Sequence, residues 1–307
     1  MISLKNSALE SELSRVHTPV MTAEVLRFLR PMPKGFYLDA TAGLGGHSEA
    51  ILQAEPSIKR LVAMDWDQEA LEIAKARLKR FNDKVGFYQA NFKDMDLVLE
   101  EESEPGFNGI LMDLGLSSFQ IDYSGRGFSF MKDEPLDMRM DRSGTVMASD
   151  MINNLPRERI EELIRIYGEE RWAGKIAEAI EKRRRQRPIL SSAELSDIVS
   201  KAIPRRFHPK KIHPATKTFQ AIRIAINREF ENLTEALEKA AQYLLPGGML
   251  VIISFHSLED RIVKHHFRQD ARLEPLTKRP VTPQTGEILS NPRARSAKLR
   301  AARKVVK

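Results

Sequence analysis

Cysteine is absent from all 307 residues, so disulfides and thiolate metal sites are excluded, and a reducing compartment fits. Long apolar runs are absent too. None approaches the roughly 20 residues that would span a bilayer, and residues 1–15 are polar, without the apolar core of a signal peptide. The expectation is a soluble, cytoplasmic protein with no membrane contact. The histidines are badly placed for metal. His265 and His266 are neighbours that diverge on a helix, and no carboxylate sits at ligand spacing beside two histidines, so no metal is expected. No serine, histidine and acid trio assembles by motif.

Acids are missing from particular stretches rather than from the whole. The net charge is +7. Residues 278–307 hold nine Lys or Arg and the single acid Glu287. Lys182, Arg183, Arg184, Arg185 and Arg187 form a second basic cluster. Arg205, Arg206, Lys210, Lys211 and Lys217, with His208 and His213, form a third that contains no acid. Separated basic patches on an otherwise acidic chain suggest a polyanion partner, nucleic acid first among them. With 42% hydrophobic residues the chain can bury a real core, as one large domain or two modest ones.

The chain is organised around residues 36–47, FYLDATAGLGGH. An apolar strand ends at Asp39, a glycine turn follows, and a helix starts near Ser48. Such turns let the backbone approach a ligand and aim helix N–H groups at it. Residues 60–67, RLVAMDWD, form a second strand ending at Asp65, nineteen positions after Gly46. A carboxylate there can accept the two hydroxyls of a ribose. NAD and S-adenosylmethionine both suit this arrangement. The NAD pattern G-x-G-x-x-G is incomplete, because Ser48 stands at its third glycine. The methyltransferase pattern D-x-G-x-G-x-G fits Asp39 to Gly45 better, with Thr41 at its first glycine.

Further along, strands are expected over 85–90 and 107–113, with helices over 68–80 and 94–102. From 124 to 214 no buried strand is visible, and helices are expected over 148–153, 157–167, 170–185 and 192–202, the last capped from Ser191. One long helix over 215–245, a buried strand over 249–255 and a helix from Leu258 follow, with short edge strands near 272–278 and 296–302. The fold class is therefore α/β, a doubly wound Rossmann-like parallel sheet with an inserted all-helical domain. The sheet domain is discontinuous, 1–123 and 215–307, and the insertion is 124–214.

Ligands on such sheets bind at the carboxyl ends of the strands. There lie Asp113 and Gly115 after the fourth strand, with Gln120 beyond, and His256 after the later one. Ser257 reads as the cap of the helix that follows. His213, Lys217, Gln220 and Arg223 open the long helix, where they could hold a phosphate. Residues 133–141, DEPLDMRMD, suit neither strand nor amphipathic helix and suggest no role.

Several stretches together resemble one family: HTPVM, DATAGLGGHS, DLGLSS, RGFSF with DEPLDMRMD, YGEERWA, HPATKTFQAIRIAIN, ISFHSLEDRIVK and NPRARSAKLR. The sequence is similar, from about His17 to Arg300, to the bacterial MraW/RsmH family. That family methylates the exocyclic N4 of a cytosine in 16S ribosomal RNA of the small subunit. The resemblance implies an S-adenosylmethionine-dependent methyltransferase sheet and an RNA substrate presented in the assembled 30S subunit. It implies that Gly45, Gly46 and His47 line the methionine end of the cofactor, Asp65 the ribose and Phe92 the adenine, with Asp113 and Gln120 as further contacts. Asp113-Leu114-Gly115-Leu116 stands where amino-methyltransferases acting on DNA carry D/N-P-P-Y, so their mechanism does not transfer whole. Two roles stay open for Asp113, catalytic acceptor or cofactor ligand only. His256 is a second catalytic candidate, and the insertion is expected to recognise substrate. The rival classes are a non-catalytic RNA-binding module on this fold and an NAD-dependent oxidoreductase.

Overall fold

A computed structural model describes residues 18–306. His17 and the helix expected over the first residues lie outside them. The chain forms two compact units. One holds the described residues up to Ser117 and resumes at Phe230; the other is Ser118–Glu229.

The first unit is built on one sheet. Strands β1 (Phe36–Asp39), β2 (Arg60–Asp65), β3 (Val85–Gln89), β4 (Phe107–Asp113) and β5 (Leu244–Ser254) run parallel. Strands β6 (Leu273–Pro275) and β7 (Lys298–Lys304) complete it in the order β3-β2-β1-β4-β5-β7-β6. β7 is antiparallel to both neighbours. The short strands expected near the C-terminus therefore exist, but β7 lies inside the sheet, not at its edge. β1 and β4 read as apolar runs because both of their faces are covered.

Side chains alternate between two cores. Phe36, Leu38, Val62, Met64, Ile110, Met112, Leu250 and Ile252 face one layer, while Tyr37, Leu61, Ala63, Leu111, Val251 and Ile253 face the other. Helices α1 (Thr22–Leu29), α2 (Gly46–Ala54) and α3 (Gln68–Leu78) cover the second layer. Thr22 starts α1 and does not cap it; its hydroxyl donates to the Pro19 carbonyl at 3.2 Å. The first layer is covered by α4 (Met95–Glu101) and by two helices near the end of the chain.

In the second unit, α5 (Ser118–Asp122) and α6 (Ala148–Asn154) lead to α7 (Arg157–Gly168), α8 (Ala173–Arg184), α9 (Ser192–Ala202) and α10 (Thr216–Asn227). α7 packs on α8 and α10, and α9 on α8. Ser191 caps α9 by accepting from the Glu194 amide. The stretch 133–141 is a strap folded around Arg126, which is 2% exposed. The Arg126 guanidinium donates to the carbonyls of Arg139 and Met140 at 3.1 and 2.9 Å. The Asn227 side chain accepts from the Met140 amide and donates to the Met138 carbonyl, both at 2.8 Å.

The single helix expected over 215–245 is two helices. Arg228 adopts φ 50°, ψ 43°, and α11 (Glu229–Tyr243) starts anew beyond it. Left-handed backbone ends a helix whatever the residue, and no glycine or proline marks this one. The unit boundaries consequently fall at 117/118 and 229/230 instead of 123/124 and 214/215, and all of α10 belongs to the second unit. The chain then adds α12 (Ser257–Gln269) and α13 (Thr285–Ser290) to the first unit. Among the described residues no helix is long and apolar enough to cross a membrane, and no group of three or more His, Cys, Asp or Glu could hold a metal ion.

Candidate active site

The carboxyl ends of β1, β2, β4 and β5 converge where the parallel register places Asp39 beside Ala63 and Leu111, and Asp113 beside Ile253. Asp39 does not face solvent. It is 1% exposed, accepts from the Ser48 hydroxyl at 2.7 Å, and so ties the end of β1 to the first turn of α2. Burial raises its pKa, with the neighbouring His47 opposing. Thr41, at the first glycine of the methyltransferase pattern, accepts from the Asp113 amide at 2.6 Å. A glycine could not make that bond, so the departure from pattern fixes the end of β4 against the turn.

Gly45 is left-handed, at φ 78°, and a Cβ there would sit 3.3 Å from Ala74. Both features demand glycine. The Gly45 carbonyl accepts from the Glu49 amide at 2.9 Å, which starts α2. His47, one residue into that helix, is 5% exposed. Its Nε2 lies 3.5 Å from Asp113 Oδ2. Both ring nitrogens of His47, and Oδ1 of Asp113, are buried with no hydrogen-bond partner among the described residues. Unsatisfied buried polar atoms are costly, typically about 1–3 kcal/mol each. Three in one place mark a site that a polar ligand completes.

Asp65 at the tip of β2 accepts from the Gly43 amide at 2.7 Å and from the Asp67 amide at 2.8 Å. Burial nevertheless lifts its pKa to about 7. Phe92 follows β3 at the start of a short turn of helix and packs, half-buried, against the sheet core. Gly115 is left-handed at φ 98°, and a Cβ there would lie 3.6 Å from the Phe255 ring.

His256 has a structural task. It, and not Ser257, caps α12: its Nδ1 accepts from the Glu259 amide at 3.4 Å, and its Nε2 lies 3.0 Å from Glu259 Oε1. Glu259, 3% exposed, also accepts from the Phe255 amide at 2.9 Å. Both ring nitrogens of His256 are thus turned to Glu259. Glu259 is a residue that the sequence reading did not single out; its signal is its place three residues after His256, the spacing of a capping box.

Gln120, 5% exposed on α5, belongs to the second unit. So do the four residues expected to hold phosphate, and three of them are engaged within that unit. Arg223 makes a two-pronged pair with Glu229, at 2.7 and 2.8 Å. Gln220 donates to the Tyr167 carbonyl at 3.0 Å, and Lys217 to the Glu169 carbonyl at 2.9 Å. They fasten α10 to α7 and to its own C-terminal end. His213 remains exposed, its ring stacked on Phe130 at 4.6 Å.

Residues 14–305 match the MraW methylase family. Relatives share nearly the whole length. A protein of a Cyanothece species is 47% identical over 299 residues, covering 97% of each chain. One from Kosmotoga olearia is 46% identical over 302 residues, covering 97% of this chain and 100% of its own. One from Geobacter sulfurreducens is 47% identical over 307 residues, covering 94% and 99%. All three bear the name ribosomal RNA small subunit methyltransferase H. With its glycine turn, its strand-end carboxylates and this match from end to end, the chain belongs to the MraW methylase family.

Proposed function

We propose that this protein transfers the methyl group of S-adenosylmethionine to the exocyclic N4 of a cytosine in 16S ribosomal RNA, acting on the assembled small subunit in the cytoplasm. The observation that carries the reading is the His47–Asp113 pair, with three buried polar atoms that have no hydrogen-bond partner among the described residues, beside a turn whose Gly45 is left-handed. These residues fit the cofactor. A zwitterionic amino-acid end would supply the partner that His47 lacks, and a substrate amine the donor that Asp113 Oδ1 lacks. Gly45 and Gly46 keep the turn that would hold it close against its neighbours, Asp65 would accept from ribose hydroxyls, and Phe92 would offer an apolar edge to adenine.

When bound, S-adenosylmethionine supplies a methyl group on a sulfonium, an activated leaving group. The protein's own part begins with the acceptor. A cytosine amine is a poor nucleophile because its lone pair is delocalised into the ring. Asp113 Oδ1, held by the Thr41 bond at its amide, accepts an N–H of that amine, concentrates the lone pair on nitrogen, and takes the proton as the N–C bond forms. Holding donor and acceptor in line contributes the larger share. His256 acts at one remove, fixing the β5–α12 turn through Glu259. In the second unit, His213 contacts RNA, while Lys217, Gln220 and Arg223 position α10.

The test is methyl transfer from labelled S-adenosylmethionine to small subunits that lack the modification, with free RNA alongside. N4-methylcytosine in the subunits is expected. Asp113→Asn should lower turnover by roughly 10²–10⁴-fold while cofactor affinity stays within about tenfold. Full turnover in that variant would remove Asp113 from the chemistry.

A further inference from the structure

Of the three basic stretches in the sequence, the second is largely paired within the fold and the C-terminal one in part. Arg183 and Arg187 reach Glu194, Arg185 pairs with Glu181, and Arg184 donates to the Ile152 carbonyl. In the C-terminal stretch Arg300 pairs with Asp260 and Arg303 with Glu274. The third differs. Ion pairs of the second unit engage, among others, Arg139, Arg165, Arg183, Arg187 and Arg223, but among the described residues none engages Arg171, Lys175, Arg205 or Arg206. All four are exposed.

Three of them, Arg171, Lys175 and Arg206, lie over two aromatic rings, and Arg205 is the chain neighbour of Arg206. Trp172 and Phe207 lie 5.1 Å apart, tilted by 40°. Arg171 sits over both, at 5.3 and 4.9 Å from their centroids. Lys175 lies 5.4 Å from the Trp172 ring and Arg206 4.8 Å from the Phe207 ring. Phe207 is 37% exposed. The support beneath is firm. His208 Nε2 lies 2.9 Å from the Ile203 carbonyl and 3.1 Å from that of Ser200, which pins the segment to the end of α9. The Glu170 carboxylate is buried and accepts from the Trp172 amide at 2.9 Å. Trp172 precedes α8, whose first turn carries no acid. Cations at a helix N-terminus oppose its dipole, and exposed contacts with rings return little. The cluster works against the fold's electrostatics, which suggests that a polyanion offsets it.

We propose that Trp172 and Phe207, with Arg171, Lys175, Arg205 and Arg206, form a stacking platform for unpaired RNA bases, the cations holding the flanking phosphates. The platform deepens the ribosomal-RNA reading above and rests on it. Aromatic faces interleaved with cations suit single strands, since every base has a face to stack while phosphates supply the charge. An acidic protein surface would need the cations but not the rings.

Two probes separate these cases on the full-length chain: fluorescent dodecaadenylate, and an abasic ribose-phosphate 12-mer of equal charge. Wild type should bind dodecaadenylate the more tightly. Phe207→Ala should weaken dodecaadenylate roughly tenfold, leave the abasic strand unchanged and keep its melting temperature; Phe207→Tyr should restore binding. Equal binding of both probes by wild type, or Phe207→Ala affecting both alike, overturns the platform and points to a purely ionic partner. Methyl transfer to small subunits by wild type is scored separately. If it occurs while Phe207→Ala leaves the preference for bases intact, the platform fails and the function stands. If it is absent while the preference behaves as expected, the function fails and the platform stands.

Discussion

Two backbone amides already donate to Asp65, yet burial still holds its pKa near 7. A carboxyl in that position is half-protonated at neutral pH, and ribose hydroxyls donate best to the ionised form. Affinity for S-adenosylmethionine should therefore rise as pH increases from about 6 to 8 and then level off. Isothermal titration across that range checks this, and Asp65→Asn should flatten the profile. The sign for stability is opposite. The folded pKa lies above the unfolded value of about 3.9, so this group's contribution is fully present below pH 4 and is lost as pH rises to about 7. Ligand and fold thus pull Asp65 in opposite directions. Beside it, both ring nitrogens of His47 and Oδ1 of Asp113 are buried with no hydrogen-bond partner among the described residues.

Arg228 is the element-scale counterpart. It is exposed, left-handed, and separates α10 from α11 without glycine. Left-handed backbone costs an ordinary residue roughly 1–2 kcal/mol. Arg228→Gly should consequently raise stability by about 0.5–1 kcal/mol, read as a higher denaturant midpoint at unchanged slope; a loss of stability would show that the arginine side chain contributes more than its backbone costs. Most elements were legible in the sequence. The strand FNGILMD spans residues 107–113 in both readings, and Ser191 caps α9 as its spacing predicts. What escaped is what depends on distant partners. Nothing in the local pattern announces that Arg223 is paired with Glu229 or that DEPLDMRMD wraps a buried arginine. The glycine turn and the carboxylates at the strand ends stood out because turn chemistry is local. Three of the four residues expected to hold phosphate on α10 are engaged within their own unit, and a helix face seen in sequence does not reveal such partners.

For the whole molecule, a net charge of +7 is a poor guide to RNA affinity, because pairing has consumed much of the basic surface. Binding of single-stranded RNA should fall steeply with salt, by about 0.7 in log–log slope for each phosphate neutralised. Arg205→Ala with Arg206→Ala should reduce that slope by roughly 1.4. Arg300→Gln should leave the slope alone and lower stability, since it orphans the Asp260 carboxylate instead. A flat salt response in wild type would remove the basic surface from recognition.

The place of β7 between β5 and β6 has a consequence for manufacture. Residues 298–304 are synthesised after every other strand, yet they fill an interior position. Until they arrive, β5 presents an open edge lined by Leu250 and Ile252, and β6 has no neighbour at all. Each nascent or prematurely stopped chain therefore carries an adhesive flank that only the last strand covers, and such flanks invite self-association. Lys298, Arg300 and Arg303 give that late strand enough charge to stay apart from its own kind while it waits its turn. A molecule stopped before residue 298 therefore exposes its own incompleteness at that edge.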